Sequence, residues 1–245
     1  LLDQGDPAIA ESSILKWFAT NAFWEIADDV VQIHGANGLA EENPFMDEAL
    51  TAEVERLKEH FDAIDKVRES AYATSRTLRR RSVQLVRDMQ RRMEVDVAGE
   101  LEKLRELAVE LAGCEHRFGF MEEALQEYSE AALTYSFLFD KPAPTQADLG
   151  CTERTYVLGL ADAISELRRR ILTLLREDDI EGATRMFDLM DDYYHLILVY
   201  DHTDAILPLR RKQDALRAVT ERTRADITSI ICQKRLEEKM PDMNE

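Results

Sequence analysis

The sequence of 245 residues is poor in the two residues that most often interrupt regular structure, with 9 glycines and 6 prolines. This scarcity excludes a fold of many short strands joined by tight turns and favours long helices. Its 3 cysteines are scattered and odd in number, which excludes a disulfide framework and indicates reduced thiols in a cytoplasmic protein. The longest apolar run, Leu196 to Tyr200, is too short to span a bilayer.

Histidine and lysine are also scarce. The two C-terminal histidines, His195 and His202, are isolated, and no nucleophile–histidine–acid arrangement is visible. There are 8 lysines against 23 arginines, and the net charge is -18. Acidity argues against a nucleic-acid partner because phosphate contacts need cations, but arginine is the side chain suited to bidentate phosphate contacts. The net charge therefore leaves the partner open, and low lysine would also suit a high-salt cytoplasm.

What the sequence does contain is helical periodicity along most of its length. Hydrophobic residues make up 45% of the chain, as in a globular protein. Their spacing predicts helices over residues 12–34, 51–93, 97–111, 118–139, 153–175 and 181–200, with a last helix from about 209. We therefore expect an N-terminal extension over residues 1–47, a helical domain over 48–236 and a charged tail over 237–245.

The N-terminal extension resembles a fragment of the last domain of acyl-CoA dehydrogenases. In that family a helix leads into a Q-[IV]-H-G-G-x-G-aromatic segment that lies against a flavin. The matching residues are Gln32, Ile33, His34, Gly35 and Gly38, whereas Ala36 and Leu39 depart from the pattern. No flavin-binding β-domain follows, and a cofactor needs the rest of its pocket. We expect no bound FAD, and we interpret His34 as a loop or packing histidine.

A row of arginines follows one side of the helix predicted over residues 51–93. Its members are Arg76, Arg80, Arg87 and Arg91. Their offsets of four, seven and four residues bring them onto one face. A charged row is usually a solvated face, but this one is nearly single-signed in an acidic protein. We therefore weigh it as a contact surface for the phosphates of a nucleic acid.

Two acidic pairs are the candidate catalytic residues. Glu127 and Glu130 lie on one predicted helix, and Asp162 and Glu166 lie on the next. Residues three or four apart share a helix face, so four carboxylates meeting between two helices would form an oxygen-rich cage for a hard divalent cation. The alternative is that the acids form ion pairs with the arginines at 168–170.

The surroundings of these acids indicate that they are partly buried. The first helix becomes apolar nearly all round after Glu130, which predicts burial on both sides. In the second helix, the small residues Gly159, Ala163 and Ser165 flank the acids and allow another helix to approach closely. A buried carboxylate without a partner is costly, and a bound cation would offset that cost.

Residues 51–232 resemble the translin family, and in detail its translin-associated factor X branch, including archaeal members. The resemblance is carried, in this order, by FMEEALQEYSEAALTYSFL, YVLGLADAISELRRRIL and LRRKQDALRAVTERTR. It implies an all-α, translin-like seven-helix bundle subunit, here with an extra N-terminal helix and loop. It also implies assembly of identical subunits into a closed barrel of about eight members.

The resemblance further implies a function. The family binds single-stranded or short duplex RNA and DNA, and its factor X branch is a metal-dependent endoribonuclease acting inside the barrel. That branch's catalytic E-x-x-E and D-x-x-x-E pairs fall on Glu127, Glu130, Asp162 and Glu166, which would hold Mg²⁺, or alternatively Mn²⁺. Two other functions stay open: a non-catalytic RNA- or DNA-binding barrel, and a helical partner-binding protein without a nucleic-acid role.

Overall fold

The protein is all-α, as the sequence predicts. A computed structural model describes residues 9–34, 48–91, 94–114 and 117–239, is 84% helical, and contains no strand in those ranges. The helices are α1 (Ile9–His34), α2 (Glu48–Gln90), α3 (Val97–Ala112), α4 (Gly119–Leu138), α5 (Gln146–Leu149), α6 (Glu153–Arg176), α7 (Ile180–Ile197) and α8 (Arg210–Lys239). The helices α2 to α8 supply the seven expected of the bundle, and α1 is the extra helix. None of the described helices has the length and apolarity needed to cross a membrane.

Helix α5 is the element that the sequence analysis missed, because it lies in a segment interpreted as a loop. It begins after Thr145, whose hydroxyl accepts from the backbone N–H of Asp148, while the Asp148 carboxylate accepts from the backbone N–H of Thr145. This reciprocal cap is visible in the sequence as T-x-x-D and could have located the helix. Gly150 ends it with φ 64°, a left-handed conformation that glycine adopts without steric cost.

The chain divides into two units, residues 1–63 and residues 64–245, with the boundary inside α2. In the first unit, α1 leaves large apolar side chains exposed, including Trp17 at 67% and Trp24 at 66%. The segment from Gly35 to Leu39, on which part of the acyl-CoA dehydrogenase resemblance rests, lies outside the described residues. The division of the chain at residues 47 and 236 stays a prediction.

Burial along α2 begins later than its periodicity predicts. Leu78, Leu85 and Met89 are buried, whereas Phe61 and Val67, which share the same apolar pattern, are exposed. The apolar side of α2 therefore forms part of the core from about Ala71 onward.

The second unit contains two clusters of buried side chains, and α4 contributes to both. The first half of α4, with Met121, Leu125 and Tyr128, packs with residues of α2 and α3. Its second half, with Leu133 and Phe137, packs with α6, α7 and α8. Helix α4 is thus buried along most of its length, including the segment beyond Glu130 for which burial was predicted.

Helices α4 and α6 approach each other closely at Gly159. A Cβ atom at this position would lie 2.7 Å from the Cβ of Ser129, 2.8 Å from the carbonyl oxygen of Gln126 and 2.9 Å from the amide nitrogen of Glu130. Two of these three atoms belong to the main chain of α4 and cannot move aside. The sequence-based expectation that small residues on α6 admit another helix is thus confirmed at Gly159, one turn before Asp162.

Candidate functional site

The two predicted acidic pairs flank the contact between α4 and α6. Glu127 and Glu130 lie on α4, Asp162 and Glu166 lie on α6, and all four are half-buried. The amide of Glu130 is one of the α4 atoms nearest to Gly159, so the close approach of the two helices lies beside both acidic pairs. We call these four side chains the carboxylate cluster.

Asp162 is the most firmly held member of the cluster. The side-chain amide of Gln126 on α4 donates to its Oδ2 at 2.8 Å. The ammonium of Lys212 on α8 donates to its Oδ1 at 2.5 Å. Both carboxylate oxygens are therefore engaged, and three helices meet at this one side chain.

Glu166 and Glu127 have weaker partners, both on α2. The amide of Gln90 donates to the backbone oxygen of Glu166 at 3.1 Å and to its Oε2 at 3.3 Å. The Nε atom of Arg79 lies 3.6 Å from Oε1 of Glu127, and its Nη1 lies 3.3 Å from Oε2 of Glu123. Arg79 thus divides its charge between a cluster member and a more exposed glutamate.

The four carboxylates interact electrostatically. Burial, and then the charges of Asp162, Glu127 and Glu166, raise the pKa of Glu130 to about 8, with Lys212 opposing the shift. Burial also raises the pKa of Glu127, against the opposing charge of Arg79. Burial and the neighbouring negative charges both disfavour the ionised form of a carboxyl, so Glu130 holds its proton to a higher pH than a carboxyl in water.

This cluster fits a hard divalent cation in its donor chemistry and its charge. The donors are carboxylate oxygens, and the charges of Asp162, Glu127 and Glu166 contribute, after burial, to the raised pKa of Glu130. A divalent cation would offset this mutual repulsion. Within the ranges that the structure describes, no three Asp, Glu, His or Cys side chains are already arranged as a ligand set, so binding would require the side chains to rearrange.

An arginine-lined groove of about 370 Å³ lies beside the cluster, between α2 and α4. Three of the four predicted arginines, Arg76, Arg80 and Arg87, line it, and Arg91 lies exposed just beyond the end of α2. Arg79, which the sequence analysis did not select, lines it as well. We call this feature the arginine groove.

Two aromatic rings, one from α2 and one from α4, line the arginine groove. Tyr72 and Phe120 line it and meet edge to face, with ring centroids 5.3 Å apart. The hydroxyl of Ser75, another lining residue, is buried and has no hydrogen-bond partner among the described residues. Guanidinium groups beside exposed aromatic rings are typical of surfaces that bind phosphates and nucleobases.

One of the arginines considered as an alternative partner for the acids pairs elsewhere. The guanidinium of Arg168 donates to the Thr223 hydroxyl and the Asp226 carboxylate on α8, each at 2.8 Å. The cation at Asp162 is Lys212, and nothing in the local spacing of α8 pointed to it.

This chain is similar to known proteins in sequence and in structure. The uncharacterised protein MJ0175 of Methanocaldococcus jannaschii is 31% identical over 185 residues, covering 72% of this chain and 82% of that protein. The structure of AfC3PO in complex with duplex RNA matches with a TM-score of 0.67 at 26% identity, covering 79% of this chain and 100% of that chain. Apo-NeC3PO matches with a TM-score of 0.64 at 23% identity, covering 72% and 96%.

The N-terminal residues match a different family. The family described as acyl-CoA dehydrogenase, C-terminal domain, matches residues 1–59, in agreement with the resemblance of this stretch to a fragment of that domain. The rest of the chain is an all-α protein of the translin-like fold class, like the C3PO structures. Its identity to the Methanocaldococcus protein and its structural neighbours together place it more narrowly: the chain belongs to the translin family.

Proposed function

We propose that this protein is a metal-dependent endoribonuclease of the translin-associated factor X branch, archaeal in type, acting on single-stranded or short duplex RNA. One observation carries the proposal: a residue that lines the arginine groove also forms an ion pair with a member of the carboxylate cluster. Arg79 lines the groove and lies 3.6 Å from Glu127. A strand held by its phosphates in the groove would therefore pass beside the carboxylates.

The arginine groove is the RNA-binding part of the proposal. Its guanidinium groups can hold phosphates without reading sequence, and Tyr72 can stack against a base because about half of its surface is exposed. The unpartnered Ser75 hydroxyl is a further donor for a phosphate oxygen. That AfC3PO forms a complex with duplex RNA supports the same ligand class for this chain. Single-stranded DNA presents the same phosphates.

The carboxylate cluster is the catalytic part. Glu127, Glu130, Asp162 and Glu166 would hold Mg²⁺, or Mn²⁺, which lowers the pKa of bound water and neutralises charge on a phosphate. Glu127 and Glu130 can orient the attacking water by accepting its hydrogens. Arg79, adjacent to Glu127, can hold the scissile phosphate against the cluster. Residues on three helices would thus act on one phosphate.

We further propose that the protein forms a homo-oligomeric barrel of about eight subunits. An exposed apolar stripe supports association: Leu50, Val54 and Phe61 on α2 are more than half exposed and recur at helical spacing.

The three cysteines are unpaired, which agrees with a reducing compartment, and we propose a cytoplasmic location.

The proposed function is tested by incubating the protein with an end-labelled single-stranded RNA in Mg²⁺, and again in excess EDTA. We expect internal cleavage with Mg²⁺ and none with EDTA. Binding without cleavage in either buffer would favour the non-catalytic RNA- or DNA-binding barrel. Absence of both binding and cleavage would favour a protein-binding role. A salt titration separates nucleic-acid binding from protein binding, because phosphate binding weakens steeply with ionic strength.

The arginine groove makes a separate prediction about binding. Replacing Arg76 and Arg80 together by glutamine should weaken RNA binding by about tenfold or more at low salt. It should also make the slope of log K against the logarithm of the salt concentration shallower by about two, because two phosphate contacts are lost. Fluorescence anisotropy in EDTA, at several salt concentrations, measures both quantities. Arg185→Gln is the matched control, because Arg185 is 73% exposed on α7 and does not line the groove. Equal losses in the control and the double variant would contradict the assignment.

A further inference from the structure

Lys212 brings a positive charge into the carboxylate cluster from a distant part of the sequence. It is the third residue of α8, and its Nζ lies 2.5 Å from Oδ1 of Asp162. The side chains of Lys212 and Asp162 are 29% and 27% exposed, so water screens this ion pair much less than the ion pairs on the surface. Gln126 donates to the other oxygen of Asp162, so Lys212 meets a carboxylate whose orientation is already fixed.

The charge of Lys212 extends beyond Asp162. It favours the ionised forms of Glu127 and Glu130 as well, so three of the four carboxylates are attracted by one ammonium. A cation that attracts several carboxylates at once occupies the electrostatic position that a divalent ion would take. Because a divalent ion held by Asp162 would lie close to the ammonium and repel it, binding of the ion would compete with the contact between Lys212 and Asp162.

We propose that Lys212 is the resident cation of the carboxylate cluster: it holds Asp162 in the absence of a divalent ion, is displaced when one binds, and then contacts a phosphate of the RNA. This inference rests on the proposed function, since it presumes a metal-binding cluster and a nucleic-acid ligand. Lysine suits the role because its ammonium is a compact charge on a flexible four-carbon stem. The displaced ammonium stays near the cluster, where a phosphate is its complementary partner.

The competition is measured without any catalytic readout, as the affinity of the full chain for Mn²⁺ by electron paramagnetic resonance or calorimetry. We expect Lys212→Met to bind Mn²⁺ about tenfold more tightly than the wild type, because a like charge at close range has been removed. Lys212→Arg keeps the charge and should bind with nearly wild-type affinity. The matched control is Lys234→Met, which removes another lysine of α8 that pairs with an aspartate, Asp178, at 2.8 Å.

The phosphate contact is measured by RNA binding in EDTA, where cleavage cannot interfere. In the wild-type background Lys212 stays on Asp162, so Lys212→Met should leave RNA affinity unchanged. In the Asp162→Asn background the ammonium is free, so adding Lys212→Met should weaken RNA binding about threefold to tenfold. The slope of log K against the logarithm of the salt concentration should become shallower by about one, because one phosphate contact is lost. A non-zero coupling between the two substitutions is the expected result.

The outcomes separate this inference from the proposed function. If the wild type binds Mn²⁺ and Lys212→Met binds it no more tightly, Lys212 does not compete and the inference is overturned while the metal site stands. Additive effects in the EDTA experiment overturn the phosphate contact. If neither protein binds Mn²⁺, the proposed function fails and the inference with it. Thermal unfolding verifies that each variant is folded, and Lys212→Gln replaces Lys212→Met if the latter is not.

Discussion

Replacing Asp162 by asparagine is expected to abolish RNA cleavage, with a loss of roughly a thousandfold or more, while RNA binding is retained. A divalent ion contributes several kcal/mol to stabilising a phosphoryl transition state, and each 1.36 kcal/mol corresponds to about a tenfold change in rate. Asparagine is nearly the same size as aspartate and can still pair with Gln126. The substitution therefore removes a charge from the cluster without removing the contact between α4 and α6.

The measurement compares initial rates of cleavage of a labelled single-stranded RNA in Mg²⁺, and dissociation constants for the same RNA in EDTA. Asp191→Asn is the matched control: Asp191 is 25% exposed, close to the 27% of Asp162, and its Oδ1 accepts from Arg224 at 2.7 Å on a different pair of helices. The control should cleave at nearly the wild-type rate. Wild-type cleavage by Asp162→Asn would remove the carboxylate cluster from the catalytic site and require the catalytic residues to lie elsewhere in the protein.

The second large effect concerns the dependence of stability on pH. The pKa of Glu130 rises from 4.5 to about 8 in the folded protein. Between these two values the folded protein holds a proton that the unfolded chain has released, so the contribution of Glu130 to the free energy of unfolding falls as pH rises. The decline is about 1.4 kcal/mol per pH unit, which amounts to on the order of 4 kcal/mol by pH 8. Glu130→Gln, which resembles the protonated side chain, should escape this decline.

Urea unfolding at several pH values between 5 and 9, followed by circular dichroism in EDTA, measures this effect. We expect the wild type and Glu130→Gln to be similar in stability near pH 5, and the variant to become progressively more stable up to about pH 8. Glu130→Asp keeps an ionisable group and should decline with the wild type. Added Mg²⁺ should restore part of the wild-type stability at high pH, because an ion that binds the folded state stabilises it. Parallel curves for the wild type and Glu130→Gln would contradict the raised pKa.

The features that sequence reasoning predicted correctly are those determined within one helix. Apolar spacing gave the long helices to within a few residues at most of their ends, as at α3 and α6. The spacing of Glu127 from Glu130 and of Asp162 from Glu166 put each pair on one helix face, and the arginine offsets put three side chains into one groove. These relations depend on 3.6 residues per turn and on nothing else in the fold.

The features that it missed depend on contacts between distant segments. Lys212 lies 50 residues from Asp162, and Gln90 lies 76 residues from Glu166. No local pattern indicates which face of α8 or α2 will meet α6, because helix packing decides it. For the same reason Arg168, two residues from Glu166 and six from Asp162, pairs with Asp226 on α8 and not with either acid: proximity along a helix does not imply that two side chains point the same way.

If the carboxylate cluster binds a divalent ion as proposed, the contact at Gly159 would influence which ion it accepts. A Cβ atom at Gly159 would meet main-chain atoms of α4, so the two acidic pairs are carried on supports that are already in close contact. Side chains that line a cage adjust by rotating, whereas backbones in contact set its minimum width. A cage built on such supports discriminates by ionic radius: Mg²⁺ requires oxygens at about 2.0–2.1 Å and Ca²⁺ at about 2.3–2.6 Å. Selectivity between these ions would then originate in a residue that has no side chain.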